Sequence, residues 1–332
     1  MAKEKADAMD IFGLTVNQSR LLFSIEKYLV SKDIDKSKKD SDKKKEWLVK
    51  REKAILEYMN LEDEKIDSLY GIYDIHKQIA EEKSKTDNLT WYYLIIFEAA
   101  LFHAYSPIDK NVKEYKNLMY KDQIDDIKDM VIVEGLIDVS FVDEIKEKYD
   151  IAAKNISGNN KKAFAIVPAI ALTVAVAALC SAFAGPIAVM LVGSNFVGLS
   201  GAALTSASLA MLGGGALAAG GAGMAGGTAV IVGGGALLGF ATGGTASVAG
   251  ITLLLSPEYA VSECAKIEVV ILEILNKVQN DKDAAFLVLK RFEDSIGALS
   301  EYMNDLNPKI KKEKTEIQKL KKSILYLSLI HI

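Results

Sequence analysis

Between Val232 and Thr245 the chain reads VGGGALLGFATGGT: fourteen residues with six glycines and no charge. A flexible linker would carry serine or glutamate between its glycines, whereas this one carries Leu237, Leu238 and Phe240. Its surroundings share that character. From Ala163 to Pro257, ninety-five consecutive residues, there is no Asp, Glu, Lys, Arg or His, although 25% of the whole chain is charged. A soluble domain places charge at nearly every exposed turn because its surface must face water. An uncharged apolar run of 18 or more residues reads instead as a membrane span, and about 20 residues cross the hydrocarbon layer as a helix. The block has room for two to four passes.

Working outward, the chain divides into three parts. Residues 1–162 form a charged helical bundle domain, 163–257 uncharged Gly/Ala-rich membrane-inserting helices, and 258–332 a coiled-coil-like helical domain. The net charge of −4 belongs wholly to the first part.

The glycines have a spacing. In lipid, helices associate by close van der Waals packing, which small residues at every fourth position permit. Gly215, Ala219, Gly223, Gly227, Gly235, Gly239, Gly243 and Ser247 follow that step, broken only by Ile231. GGGAL occurs at Gly213 and again at Gly233, twenty residues apart and about one span. The ladder resembles the glycine-zipper pattern of membrane channels and membrane-inserting helices. It implies helix packing and a homo-oligomer.

The flanks have their own periodicity. Ser256-Pro257-Glu258 sets a capping hydroxyl, a first-turn proline and a carboxylate at the start of a new helix. Leu289, Phe292, Ile296, Leu299, Met303 and Leu306 form a seam with a period near 3.5, running on through Ile310, Ile317, Leu320, Ile324 and Leu327. Backwards it reaches Val278, Leu275, Ile271, Cys264 and Val261. One or two long helices are expected there, with a kink or break at Pro308.

On the N-terminal side, Leu48, Ile55, Met59, Ile66, Leu69, Tyr73, His76 and Ala80 mark one amphipathic stripe, capped by Ser41 or Asp42. LTWYYLIIFEAALFHAY, residues 89–105, carries one charge, Glu98, and predicts a buried bundle helix. Ser140-x-x-Asp143 resembles a capping box for a helix that ends near Gly158. No segment alternates as a strand would, so the fold class is all-α: an amphipathic helical bundle, a central Gly/Ala-rich helical membrane block and a long coiled-coil-like C-terminal helix.

Chemistry is sparse. GAGMAG, residues 221–226, matches G-x-G-x-x-G, but the next carboxylate after it is Glu258, too far to hold a ribose. No glycine is followed by the lysine of a phosphate loop, and His76, His103 and His331 are isolated. Cys180 and Cys264 form no recognisable motif. The reading is no enzyme, no metal and no cofactor. Basic clusters at 36–53 and 309–322 suit anionic lipid headgroups. Nucleic acid is not expected, since the balance is acidic and no aromatic platform accompanies the lysines. MAKEKADAMDIFGLT has no apolar signal region, so synthesis in the cytoplasm without a cleavable signal peptide is expected, with residence in a membrane or a soluble form before insertion.

Amphipathic helices before and after a hydrophobic centre resemble, in layout, the α-helical pore-forming toxins of the cytolysin A and haemolysin B type. That likeness implies a protein that oligomerises through its hydrophobic helices to open a pore or disrupt a membrane. Two other readings stand beside it: a resident membrane-anchored coiled-coil interaction protein without pore activity, and a soluble helical protein that buries the block.

Overall fold

The structure, a computed structural model, describes residues 14, 16–59, 66–105, 115, 117–158, 198, 199, 203, 207, 257–306, 308 and 310–329. The fold is all-α, with no strand among the described residues. Contacts divide the chain into two compact units, Met1–Lys148 and Tyr149–Ile332.

The first unit is built around α1, Val16–Lys36, which packs on α2 (Ser41–Met59), α3 (Ile72–Lys85), α4 (Thr90–Leu101) and α5 (Gln123–Glu134). Leu21, Leu22, Phe23, Ser24, Ile25 and Glu26 are all buried, so α1 is enclosed on every side over that stretch. An enclosed helix has no apolar stripe to read, and the amphipathic pattern does not mark it. Within the 89–105 segment a buried bundle helix does form, but it is shorter than expected: every residue of α4 from Thr90 to Leu101 is buried, after which Phe102 is extended and His103 exposed. Burying side chains such as Ile95, Ile96 and Phe97 is worth about 1.5–3 kcal/mol each.

Tyr105, after α4, has φ 64°, a left-handed conformation that is costly for a bulky residue. Two contacts hold it there. Its hydroxyl donates to the Asp33 carboxylate, and its ring stands edge-on to Trp47 at 5.2 Å between centroids.

The stripe from Leu48 to Ala80 is not one helix. α2 ends at Met59 and residues 66–71 are non-helical, so the phase is lost before α3 begins at Ile72. Ile55, Ile66 and Leu69 are buried as expected. In α3, however, the buried side chains are Ile75, Ile79 and Glu82, while Tyr73 is 79% exposed and Ala80 is exposed. α2 begins at Ser41, so its cap position is Asp40, one residue earlier than expected. Asp40 has φ 61°, and its carbonyl accepts the Lys44 N–H at 3.0 Å.

α6, Ser140–Ser157, crosses the boundary between the units. Its capping side chain is Asp138, whose Oδ1 accepts the Ser140 N–H at 2.8 Å. Those hydrogen bonds to Ser140 hold the Asp138 carboxyl below its ordinary range. Asp143 reaches Lys128 of α5 at 2.6 Å instead of closing a capping box. At the far end Gly158 takes φ 60° and its N–H returns to the Lys154 carbonyl, a left-handed terminus that glycine adopts without penalty.

In the second unit α7, Pro257–Val269, begins at the expected proline and continues directly into a π-helical segment, Val270–Val278. α8, Lys282–Asp305, packs on that segment, and α9, Lys311–Leu327, packs on α7 and α8. The break at Pro308 is present. A second break, which the apolar seam alone does not reveal, lies before α8. Asn280 takes φ 50°, and the Asp281 side chain caps α8 by accepting the Ala284 N–H at 2.9 Å. Tyr149 and Ser262 share a buried hydroxyl hydrogen bond at 3.1 Å, tying the middle of α6 to α7.

Candidate functional site

The glycine ladder, Gly215, Ala219, Gly223, Gly227, Gly235, Gly239, Gly243 and Ser247, lies outside the described residues. Among the described residues no helix is long and apolar enough to cross a membrane. The two edges of the uncharged block are nonetheless marked. α6 stops at its left-handed Gly158, shortly before Ala163, and α7 starts at Pro257, the last uncharged residue. One described helix thus ends shortly before the block and another begins at its last residue.

The seam residues fall on four elements and the turns between them, and two of them, Val278 and Ile310, are exposed rather than packed. Val261, Cys264, Ile271 and Leu275 are buried along α7 and the π segment. On α8, Leu289, Ile296 and Met303 are half-buried, as is Leu306 just after it, and the side chains of Phe292 and Leu299 lie outside the described residues. Ala284, Ala285 and Val288 are the buried α8 residues among those described. On α9, Leu320 is buried, Ile317 and Ile324 are half-buried, and Ser323 and Tyr326 join the buried face.

The periodicity did not reveal a polar core in the first unit. Arg51 of α2 and Glu26 of α1 form an ion pair with both side chains fully buried. The guanidinium also lies against two rings, 4.4 Å from the Phe102 centroid and 5.4 Å from that of Trp47. Nearby on the same helices, Lys27 pairs with Glu52. Lys44 is buried too: its ammonium reaches Asp33 at 2.6 Å, Ser37 Oγ at 2.8 Å and the Met119 carbonyl at 3.2 Å. A charge in the interior must be paired and hydrogen-bonded. Lys44 meets this with three acceptors, whereas Arg51 is paired through one nitrogen and its Nε and Nη1 are buried without a hydrogen-bond partner among the described residues.

A second cluster centres on Asp126 of α5, whose side chain is 1% exposed. It meets Lys32 at 2.7 Å and Lys36 at 2.8 Å, and accepts the Tyr120 hydroxyl at 2.8 Å. Burial pushes its carboxyl up, but the hydrogen bonds from Lys32, Lys36 and Tyr120 outweigh that and hold it below the usual carboxylate range. Burial and the bond to Asp126 push the Tyr120 phenol well above its ordinary value. A depressed carboxylate stabilises the fold above its unfolded pKa of about 3.9, and that contribution is lost as pH falls through the lower folded value. Asp126→Asn should therefore cost the first unit about 2 kcal/mol at pH 7, with the gap from wild type closing below about pH 4. Trp47 and Trp91, the two tryptophans of the chain, both lie in this unit, so urea unfolding followed by their fluorescence reads it directly. A gap that persists unchanged to about pH 3 would contradict the assignment.

The core also divides the 36–53 basic cluster. Lys36, Lys44 and Arg51 are committed to Asp126, Asp33 and Glu26, and Lys50 pairs with Glu46 at 2.6 Å while donating to the Tyr115 hydroxyl at 2.8 Å. In the 309–322 cluster, Lys314 and Lys321 are exposed, and Lys322 lies 5.8 Å from the Tyr326 ring centroid. His76 contacts the Glu134 carboxylate, joining α3 to α5. Among the described residues no group of three or more His, Cys, Asp or Glu is arranged to hold a metal ion. Comparison with protein-family models, with curated proteins and with solved structures finds no match.

Proposed function

We propose that this chain is a membrane-inserting helical protein whose block at 163–257 enters the bilayer and associates with further copies through its small-residue ladder, opening a pore or disrupting the membrane. One observation carries the reading: ninety-five consecutive residues without an Asp, Glu, Lys, Arg or His, in a chain otherwise rich in charge. An Asp, Lys or Arg at the centre of a spanning helix costs about 2.5–3.5 kcal/mol, so a lipid environment excludes such residues while an aqueous one does not. The helix termini at Gly158 and Pro257 support it further, because punctuation falls where the solvent is proposed to change.

Only mild groups are available at depth. Ser194, Asn195, Ser200, Thr205, Ser206, Ser208, Thr228, Thr242 and Thr245 are among the uncharged polar side chains of the block. A lumen lined by them offers weak selectivity, so a small dye should pass. Addition of the full chain to dye-loaded vesicles is expected to release the dye in proportion to bound protein. Bound protein with the dye retained would point instead to a membrane anchor for the helical units.

A further inference from the structure

The turn between α1 and α2 separates its lysines into two populations. Lys44 points inward and fastens the turn, holding Asp33 at the end of α1, Ser37 in the turn and the Met119 carbonyl at once. Ser37 adds a bond from its hydroxyl to the Asp33 carbonyl at 2.6 Å. The turn is thus a fixed platform.

Around that anchor, Lys38 and Lys39 in the turn and Lys43 and Lys45 in the first turn of α2 are all exposed. The only acids between residues 37 and 45 are Asp40 and Asp42, which leaves the exposed groups with a surplus of two positive charges. Glu46, next in sequence, is taken by Lys50. Between residues 37 and 46 there is no aromatic side chain on which a base could stack.

We infer that Lys38, Lys39, Lys43 and Lys45 form a docking platform for an anionic bilayer surface. This rests on the membrane-inserting reading of the 163–257 block and gives it a charge-selective first contact. Flexible, strongly hydrated ammonium groups suit a diffuse layer of phosphate headgroups, where each basic residue near the surface adds attraction without fixed geometry. The chain as a whole is acidic, with a net charge of −4, so attraction to anions is confined to local patches of this kind.

The test uses the full chain, sedimented with vesicles of phosphatidylcholine alone and of phosphatidylcholine mixed with phosphatidylglycerol. At low salt the wild-type chain should bind the mixed vesicles at least about tenfold more tightly than the neutral ones, and added salt should erode the difference. The variant Lys38→Gln/Lys39→Gln/Lys43→Gln/Lys45→Gln should lose that preference while keeping wild-type tryptophan emission and wild-type binding to neutral vesicles. Lys44 stays in place in this variant, so the turn keeps its fastening. A variant that retains the full preference overturns the inference, as does a wild-type chain with no preference or one that binds duplex DNA as tightly as the mixed vesicles. Equal wild-type binding to both vesicle types removes this inference alone, whereas binding to neither removes the membrane-inserting reading with it.

Discussion

Glu26→Ala should destabilise the first unit by about 3–5 kcal/mol, because it strands the Arg51 guanidinium in the interior without its carboxylate. Unlike a surface pair, this one has no water to fall back on: both side chains are fully buried. The partner change separates the cost of a broken pair from the value of an intact one. Glu26→Leu combined with Arg51→Met replaces both charges by apolar groups of similar length, and that double variant should recover most of the loss. The thioether introduced by Arg51→Met would keep an apolar stem against Phe102 and Trp47, where the guanidinium now lies. Trp47 and Trp91 report the unfolding transition without interference from the second unit, which contains no tryptophan. A single variant as stable as wild type would show that the pair is not buried as described.

Gly239→Leu should reduce dye release to the background level. The argument is steric: at the centre of the overlapping pairs 235/239 and 239/243, a branched four-carbon side chain keeps neighbouring helices from the close approach on which association in lipid depends. The substitution makes the segment more apolar, so it should leave partitioning into the membrane intact, and it lies far in sequence from either tryptophan. Chemical cross-linking on vesicles should show the oligomer replaced by monomer. Unchanged leakage and oligomer size would remove the zipper from the account without touching insertion itself.

What could be read in advance follows a physical division. Local signals were legible: Pro257 begins α7, Gly158 ends α6, the chain breaks at Pro308, and the nearly uncharged 89–105 segment contains the buried helix Thr90–Leu101. Each depends on a residue's own backbone preference or on a run long enough to exclude water. The enclosed α1 was not legible, since burial on all sides erases periodicity. Nor was the partition of Lys43, Lys44 and Lys45. Three adjacent lysines read as one solvated face, and only the arrival of Asp33 and Met119 from other segments turns the middle one inward. The stripe from Leu48 to Ala80 misled for a related reason, because a helical phase carries no information across the non-helical stretch 66–71. For the functional reading, the sequence supplies the uncharged block and its glycine spacing, while the structure supplies the helix ends on either side and the exposure of Lys38, Lys39, Lys43 and Lys45 around the buried Lys44.

The most direct test of the central claim is flotation of the full chain with neutral phosphatidylcholine liposomes, followed by an alkaline carbonate wash of the lipid fraction. Embedding of the uncharged block predicts that the protein rises with the lipid and stays there through the wash. A chain that remains at the bottom of the gradient, or is stripped from the liposomes by carbonate, would contradict it.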